Sequence, residues 1–174
     1  MIHKSTTRII RAPPSDVMEL LADVTTVDKW NTHVKSVDLA SPDHKRTGVG
    51  AARVCNFHDG TSIKETVTEV DDKHIAMAVS DFAMPLKEIS IDFAVRPAPA
   101  LSGSTDKMAP ANRTTELTFS MHYIVKYGPI GWVLGQTVLK MKLHSVQKKI
   151  LAGIDHHLAT GERIGKDFRF PKQQ

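Results

Sequence analysis

TTELTFSMHYIVKYGPIGWVLGQTVLKMKLHSVQKKILAGID, residues 114–155, changes period in the middle, and that change decides the fold. Over residues 114–127 the apolar side chains Leu117, Phe119, Met121, Tyr123 and Val125 recur every second position, the signature of a strand with one covered face. From about Pro129 onward Trp132, Gln136, Leu139 and Leu143, then Val146, Ile150 and Ile154, step by three or four. That is one stripe along a long helix. Lys140, Lys142, Lys148 and Lys149 fall largely outside it, and Gly161 is a suitable stop.

Upstream of this junction the chain reads mainly as strands. Residues 87–96 alternate most cleanly, with Ile89, Ile91, Phe93 and Val95 on one face and Glu88, Ser90 and Asp92 on the other. Such a sheet is wet on one side and covered on the other. Ile75, Met77 and Val79 alternate in the strand before it, and residues 34–40 form another. At the N-terminus, residues 3–11 read as a strand ending at Ala12-Pro13-Pro14. A short helix then opens with Ser15 as its N-cap and carries the stripe Val17, Leu20, Leu21 and Val24. A second short helix covers Val27 to Trp30. Residues 97–113, rich in Pro, Ala and Ser, read as a flexible loop that could gate a cavity, and residues 161–174 as a tail ordered in part at best.

Residues 51–70 supply the best hairpin. Reading Asp59-Gly60 as a two-residue turn pairs His58 with Thr61. Asn56 then faces Ile63, Val54 faces Glu65 and Ala52 faces Val67, all six on one face. In this register Cys55 and Arg53 point the other way.

The predicted order is therefore strand, two short helices, six strands, long helix. A meander with one apolar face must cover it, and only the terminal helix is long enough. The expected fold class is α+β, a curved antiparallel sheet of about seven strands wrapped around the C-terminal helix, in one domain spanning 1–174 with its core at about 2–160. The gap between a bent sheet and a single helix is a natural ligand site.

Composition narrows the function classes. The 174 residues carry a net charge of +4 with lysines and arginines scattered, whereas nucleic-acid binding calls for a concentrated basic patch. No nucleic acid is expected as a partner, and membrane contact is at most peripheral, since no apolar run approaches the roughly 20 residues that span a bilayer. The one cysteine, Cys55, rules out an intramolecular disulfide; with no signal-peptide apolar core at the N-terminus, a cytoplasmic location is expected. Asp155-His156-His157 is the densest grouping among nine histidines. Adjacent helical positions diverge by about 100°, and no zinc spacing is present. No metal and no cofactor are expected. A Gly-x-Ser-x-Gly elbow and a phosphate-binding glycine loop are also absent from the sequence.

Several stretches together resemble a known group. They are Ala12-Pro13-Pro14 followed by Val17–Asp23, Trp30-Asn31 after the second helix, Gly48-Val49-Gly50 leading into a strand that ends near Phe57, Ile63–Val70, and Gly128-Pro129-Ile130-Gly131 opening the long helix. In order and spacing the chain resembles the START-like (SRPBCC) superfamily, in particular its polyketide cyclase/dehydrase and lipid-transport branch, over residues 2–160. The resemblance implies a helix-grip fold and an internal cavity. It leaves activity open, because the fold hosts carriers, receptors, cyclases and chaperone regulators. It also implies that an aromatic cyclase would hold its polyketide with polar cavity residues, commonly an arginine. The register above offers no inward arginine, which counts against that activity.

The candidate ligand-binding residues follow from the inward faces. Glu65 leads, beside Val54 and Asn56: a carboxylate in an apolar cavity can act as acid or base, or hold a polar head. Met77, Ile91, Phe93, Phe119, Met121 and Tyr123 supply the sheet side of the wall. Trp132, Gln136, Leu139 and Leu143 supply the helix side. The resemblance adds Trp30 at the mouth, where it serves equally as a packing anchor. The favoured expectation is noncatalytic binding or transport of a small hydrophobic ligand, a lipid, isoprenoid or polyketide-like molecule. The enzyme alternative is a metal-free cyclase or dehydratase using Glu65 with Tyr123 or Asn56. A third reading is a protein-interaction module of the chaperone-regulator kind. Convergent polar groups deep in the cavity would favour the enzyme, a smooth apolar cavity the carrier, and a collapsed one the interaction module. Ligand identity and oligomeric state stay open.

Overall fold

The computed structural model describes residues 1–83, 86–98, 113–126 and 140–170. Seven strands form one antiparallel sheet: β1 (Ile2–Ile10), β2 (Val34–Leu39), β3 (Ala52–Phe57), β4 (Ser62–Val70), β5 (His74–Ser80), β6 (Leu86–Pro97) and β7 (Thr115–Val125). Two short helices, α1 (Pro14–Ala22) and α2 (Val27–Trp30), follow β1, and the long helix α3 is described over Lys140–Thr160. The strand order is β1-β7-β6-β5-β4-β3-β2, so β1 crosses to the far end of a meander and pairs with the last strand. This is the α+β helix-grip architecture that the alternating and helical periods predict.

One face of the sheet is the core. Val79, Met77 and Ile75 on β5, Ile89, Ile91, Phe93 and Val95 on β6, and Leu117, Phe119 and Tyr123 on β7 are all buried. Cross-strand partners reinforce the face: Phe93 stands opposite Phe119, with ring centroids 4.4 Å apart and planes stacked. Each fully buried apolar side chain of this size contributes roughly 1.5–3 kcal/mol relative to exposure. Helix α3 covers this face with Ile150, Leu151 and Ile154, and Gly161, at φ +72°, ends it by donating its N–H to the His157 carbonyl at 2.8 Å.

The helix also seats on β1 through polar pairs that the apolar stripe hides. Gln147, fully buried, donates to the Lys4 carbonyl at 3.1 Å and accepts from Thr6 Oγ1 at 2.9 Å. Asp155, 4 % exposed, accepts from the Arg11 backbone N–H at 3.0 Å and pairs with Arg11 and Arg8 at 3.2 Å each. Burial pushes the Asp155 carboxyl up, but hydrogen bonds from Arg11 and Arg8 outweigh it and hold the group below its ordinary value of 3.8. A lowered folded value means the stabilisation is present above the unfolded pKa and is lost as pH falls through the folded one. Asp155→Asn is expected to cost about 2 kcal/mol at neutral pH, from lost charge-assisted hydrogen bonds. It should also flatten the drop in stability below about pH 4. Thermal unfolding followed from pH 3 to 7 checks both; parallel acid limbs in the two proteins would contradict the assignment.

One local expectation is corrected. Helix α1 starts two residues earlier than a Ser15 cap allows: Pro14 occupies the first turn, Pro13 is the N-cap, and no side chain caps it. Proline suits that position because its missing N–H would have no partner there. The Ser15 hydroxyl bonds Asp16 Oδ1 instead, at 3.0 Å. The tail, expected to be ordered only in part, docks over residues 161–170. Ile164 is 1 % exposed and its N–H bonds the Lys29 carbonyl at 2.9 Å. Arg163 pairs with Asp28 at 2.6 Å, and the Phe168 ring leans on His156 with centroids 4.5 Å apart. The predicted loop lies, apart from its ends, outside the described residues. At those ends β6 and β7 stay paired to Pro97 and Thr115, and the Ala98 N–H reaches the Thr114 carbonyl at 3.0 Å.

Candidate functional site

The hairpin β3–β4 sets the site, and its turn sets the hairpin. The loop has three residues, His58-Asp59-Gly60, not two. Phe57 closes it, donating to the Thr61 carbonyl at 2.8 Å and accepting from Gly60 at 3.2 Å. Gly60 sits at φ +86°, the left-handed position that a three-residue hairpin loop requires. Asp59 Oδ1 secures it by accepting from the Thr61 N–H at 3.0 Å and hydroxyl at 2.7 Å. The extra loop residue moves β3 by one position against β4. The register is Asn56 with Ser62, Cys55 with Ile63, Val54 with Lys64 and Arg53 with Glu65.

A one-residue slip turns every β3 side chain to the opposite face. Arg53 and Cys55, expected outside, point inward beside Glu65. Asn56, expected inside, points outward, where its Nδ2 bonds Asp38 Oδ2 at 2.8 Å and Ser36 Oγ at 3.3 Å. Val54 goes with it, opposite Asp38 on the neighbouring strand.

Glu65 is thus one half of a buried ion pair. Arg53 Nε donates to Glu65 Oε2 at 2.6 Å, with the side chains 2 % and 9 % exposed. The other guanidinium nitrogens reach the Val24 carbonyl at 3.3 Å and the Met77 sulfur at 3.7 Å. Cys55 Sγ lies 3.5 Å from the same Glu65 oxygen. Burial, and then the Glu65 charge, push the Cys55 thiol far above its ordinary value, the nearby guanidinium only partly opposing. Cys55 is a neutral thiol donor here and a poor nucleophile. For Arg53, burial disfavours the charge but the Glu65 carboxylate outweighs it, so the guanidinium stays ionised.

These groups sit in the wall of a cavity of about 700 Å³ between the concave sheet face, α2, α3 and the tail. Of the expected residues, Trp30, Glu65, Ile91, Phe93, Phe119 and Met121 line it. Trp30 is also an anchor: it is 2 % exposed and its indole N–H bonds Thr26 Oγ1 at 3.2 Å. Met77 and Tyr123 are buried beside the cavity without forming its wall. The Tyr123 hydroxyl has no hydrogen-bond partner among the described residues, and burial pushes the phenol up. Trp132, Gln136 and Leu139 lie outside the described residues, as does the side chain of Leu143 in α3. Residues that the sequence reading did not assign to the wall complete it. They include His33 and His58, Lys149 of α3, and Lys166 and Phe168 of the tail. A glycine at the third loop position was the available signal for Arg53 and Cys55.

Among the described residues no three His, Cys, Asp or Glu side chains are placed to hold a metal ion. No described helix is long and apolar enough to cross a membrane.

A sheet gripping one helix around a partly apolar cavity defines the helix-grip fold. The chain belongs to the family described as polyketide cyclase / dehydrase and lipid transport, whose model matches residues 1–157. No curated protein matches it. Solved structures of the same fold include the protein XoxI from Bacillus cereus, 15% identical, TM-score 0.66, covering 92% of this chain and 97% of that one. Another is the di-domain ARO/CYC BexL from the BE-7585A biosynthetic pathway, 16% identical with a TM-score of 0.69. The match takes in 91% of this chain but 47% of BexL, about half of the larger protein. Norcoclaurine synthase from Thalictrum flavum is 12% identical, with a TM-score of 0.62 and coverage of 91% and 88%. At these identities the likeness is one of fold.

Proposed function

We propose that the protein binds or carries a small, largely apolar molecule in the cavity between the sheet and α3. The observation that supports it is the wall itself. Ile63, Ile89, Ile91, Phe93, Phe119 and Met121 present a continuous apolar surface, and its deepest polar groups, Arg53 and Glu65, are spent on each other. A cavity of this size and character suits a small-molecule ligand. It is also not the collapsed interior that an interaction module of the chaperone-regulator kind would have. The cytoplasmic location and the choice among lipid, isoprenoid and polyketide-like ligands belong to the same reading.

A cyclase or dehydratase is the second reading, favoured by the convergence of Arg53, Glu65 and Cys55 inside the cavity. The inward arginine removes the objection raised by the predicted register. The partners expected for Glu65 are not the ones present: Asn56 faces outward and Tyr123 is not in the wall. Both readings meet in one experiment. Native mass spectrometry of the purified protein is expected to show a co-purifying apolar molecule at near one per chain, identifiable after extraction. A substrate that leaves chemically changed would shift the reading to the enzyme. An empty protein that also ignores fatty acids, quinones and aromatic polyketides would sink both.

A further inference from the structure

The cavity's mouth differs in character from its interior. His33 follows α2, His58 sits in the β3–β4 loop, Lys149 projects from α3 and Lys166 from the docked tail; all four line the cavity. They come from four separate parts of the chain and carry one sign of charge or none. Two acidic residues share the lining. Glu65 lies deeper and is paired with Arg53, and Asp59 Oδ1 already accepts two hydrogen bonds from Thr61. Neither Lys149 nor Lys166 forms an ion pair among the described residues.

His33 marks where a hydrogen-bond partner is missing. Its backbone N–H is taken up by Asn31 Oδ1 at 3.0 Å. Its ring Nε2, in contrast, is buried with no hydrogen-bond partner among the described residues. A buried donor or acceptor left unmade costs about 1–3 kcal/mol, and such a group marks a place where a ligand atom fits. Burial, and then the charges of Lys149 and His58, hold the imidazole below its ordinary value.

We propose that the ligand is an amphiphilic carboxylic acid whose apolar body fills the cavity and whose carboxylate lies at the mouth among His33, His58, Lys149 and Lys166. The assignment rests on the reading of the cavity as an apolar-ligand site and adds the chemistry of the head. Two ammonium groups that form no ion pair among the described residues stabilise an anion there by charge-assisted hydrogen bonds, while an alcohol of the same length gains only neutral ones and an amine is repelled.

The test is competition against a neutral fluorescent probe, 1-N-phenylnaphthylamine, using palmitic acid, hexadecanol and hexadecylamine below their aggregation limits. Palmitic acid is expected to displace the probe at a concentration roughly ten-fold lower than hexadecanol, a ratio set by the charge-assisted bonds. Hexadecylamine should be the weakest. In Lys149→Gln/Lys166→Gln, two exposed positions whose change leaves the core intact, the acid-to-alcohol ratio should fall toward one. Acid and alcohol competing equally in the unaltered protein would overturn the acidic head and leave the apolar cavity standing. So would a ratio that the double substitution does not change. A probe that never binds, with no competitor bound by native mass spectrometry, would remove the cavity reading and the acidic head together.

Discussion

Arg53→Met is expected to lower the unfolding free energy by about 3–5 kcal/mol, because it leaves the Glu65 carboxylate buried without its partner. The pair is 2.6 Å long and its arginine is nearly inaccessible to water, so solvent cannot take over the role of the guanidinium. Glu65→Leu should be damaging for the mirror reason, stranding a charged guanidinium that keeps only the Val24 carbonyl and the Met77 sulfur. The double substitution Arg53→Met/Glu65→Leu is expected to recover most of the loss, since apolar replacement of a buried ion pair is often neutral or stabilising. Urea unfolding of the four proteins closes the cycle. A loss under about 1 kcal/mol in Arg53→Met would mean that water screens the pair as it does a surface ion pair. The folded double variant then separates structure from function. If the pair anchors a polar part of the ligand, this variant stays folded but binds the co-purifying molecule more weakly. Unchanged occupancy would make the pair a structural element of the wall.

That pair also shows what the sequence could and could not tell. Strand number, the succession of elements along the chain and the covering helix were legible, because alternation at Ile89–Val95 and a three-or-four step through Ile150 and Ile154 are local signals that burial then enforces. Register was not. Asp59-Gly60 reads equally well as a two-residue turn or as the end of a three-residue loop, and the difference of one residue decides which side chains of β3 enter the cavity. The two-residue turn places Val54 inward and Arg53 outward; the three-residue loop reverses both. The polar seat of α3 was hidden for another reason. Gln147 and Asp155 are ordinary polar residues in a helix until Thr6, Arg8 and Arg11, more than 130 positions away, are brought beside them. The lysines and histidines of the rim belong to the same category: a loop, two helix-linked positions and the tail meet only in the folded chain.

Gly153→Ala is expected to destabilise the protein by about 3 kcal/mol, against the usual gain of about 1 kcal/mol for such a change in a helix. The reason is the approach of α2. A methyl group at residue 153 would overlap the carbonyl oxygen of Trp30 and come within 2.7 Å of Ile164 Cδ1. The isoleucine could rotate, but the carbonyl is main chain and yields only if α2 moves. The tail is fastened to the same helix, through the Ile164 N–H on the Lys29 carbonyl and Arg163 on Asp28, so a displaced α2 drags the docked tail with it. Gly165→Ala is the control: nothing lies within 4 Å of its added methyl, and a change within about 0.5 kcal/mol is expected. Thermal unfolding of the two variants side by side checks the comparison, and equal losses would remove the close approach as the cause. The functional consequence follows from the same contact. Trp30 and His33 flank the end of α2, and Lys166 and Phe168 ride on the tail, so all four line the mouth from the segment that Gly153 admits. Any Gly153→Ala protein that folds should therefore bind the neutral probe more weakly than its loss of stability alone explains, because the alanine pushes the mouth open while the sheet wall of Ile91, Phe93 and Phe119 stays where it is.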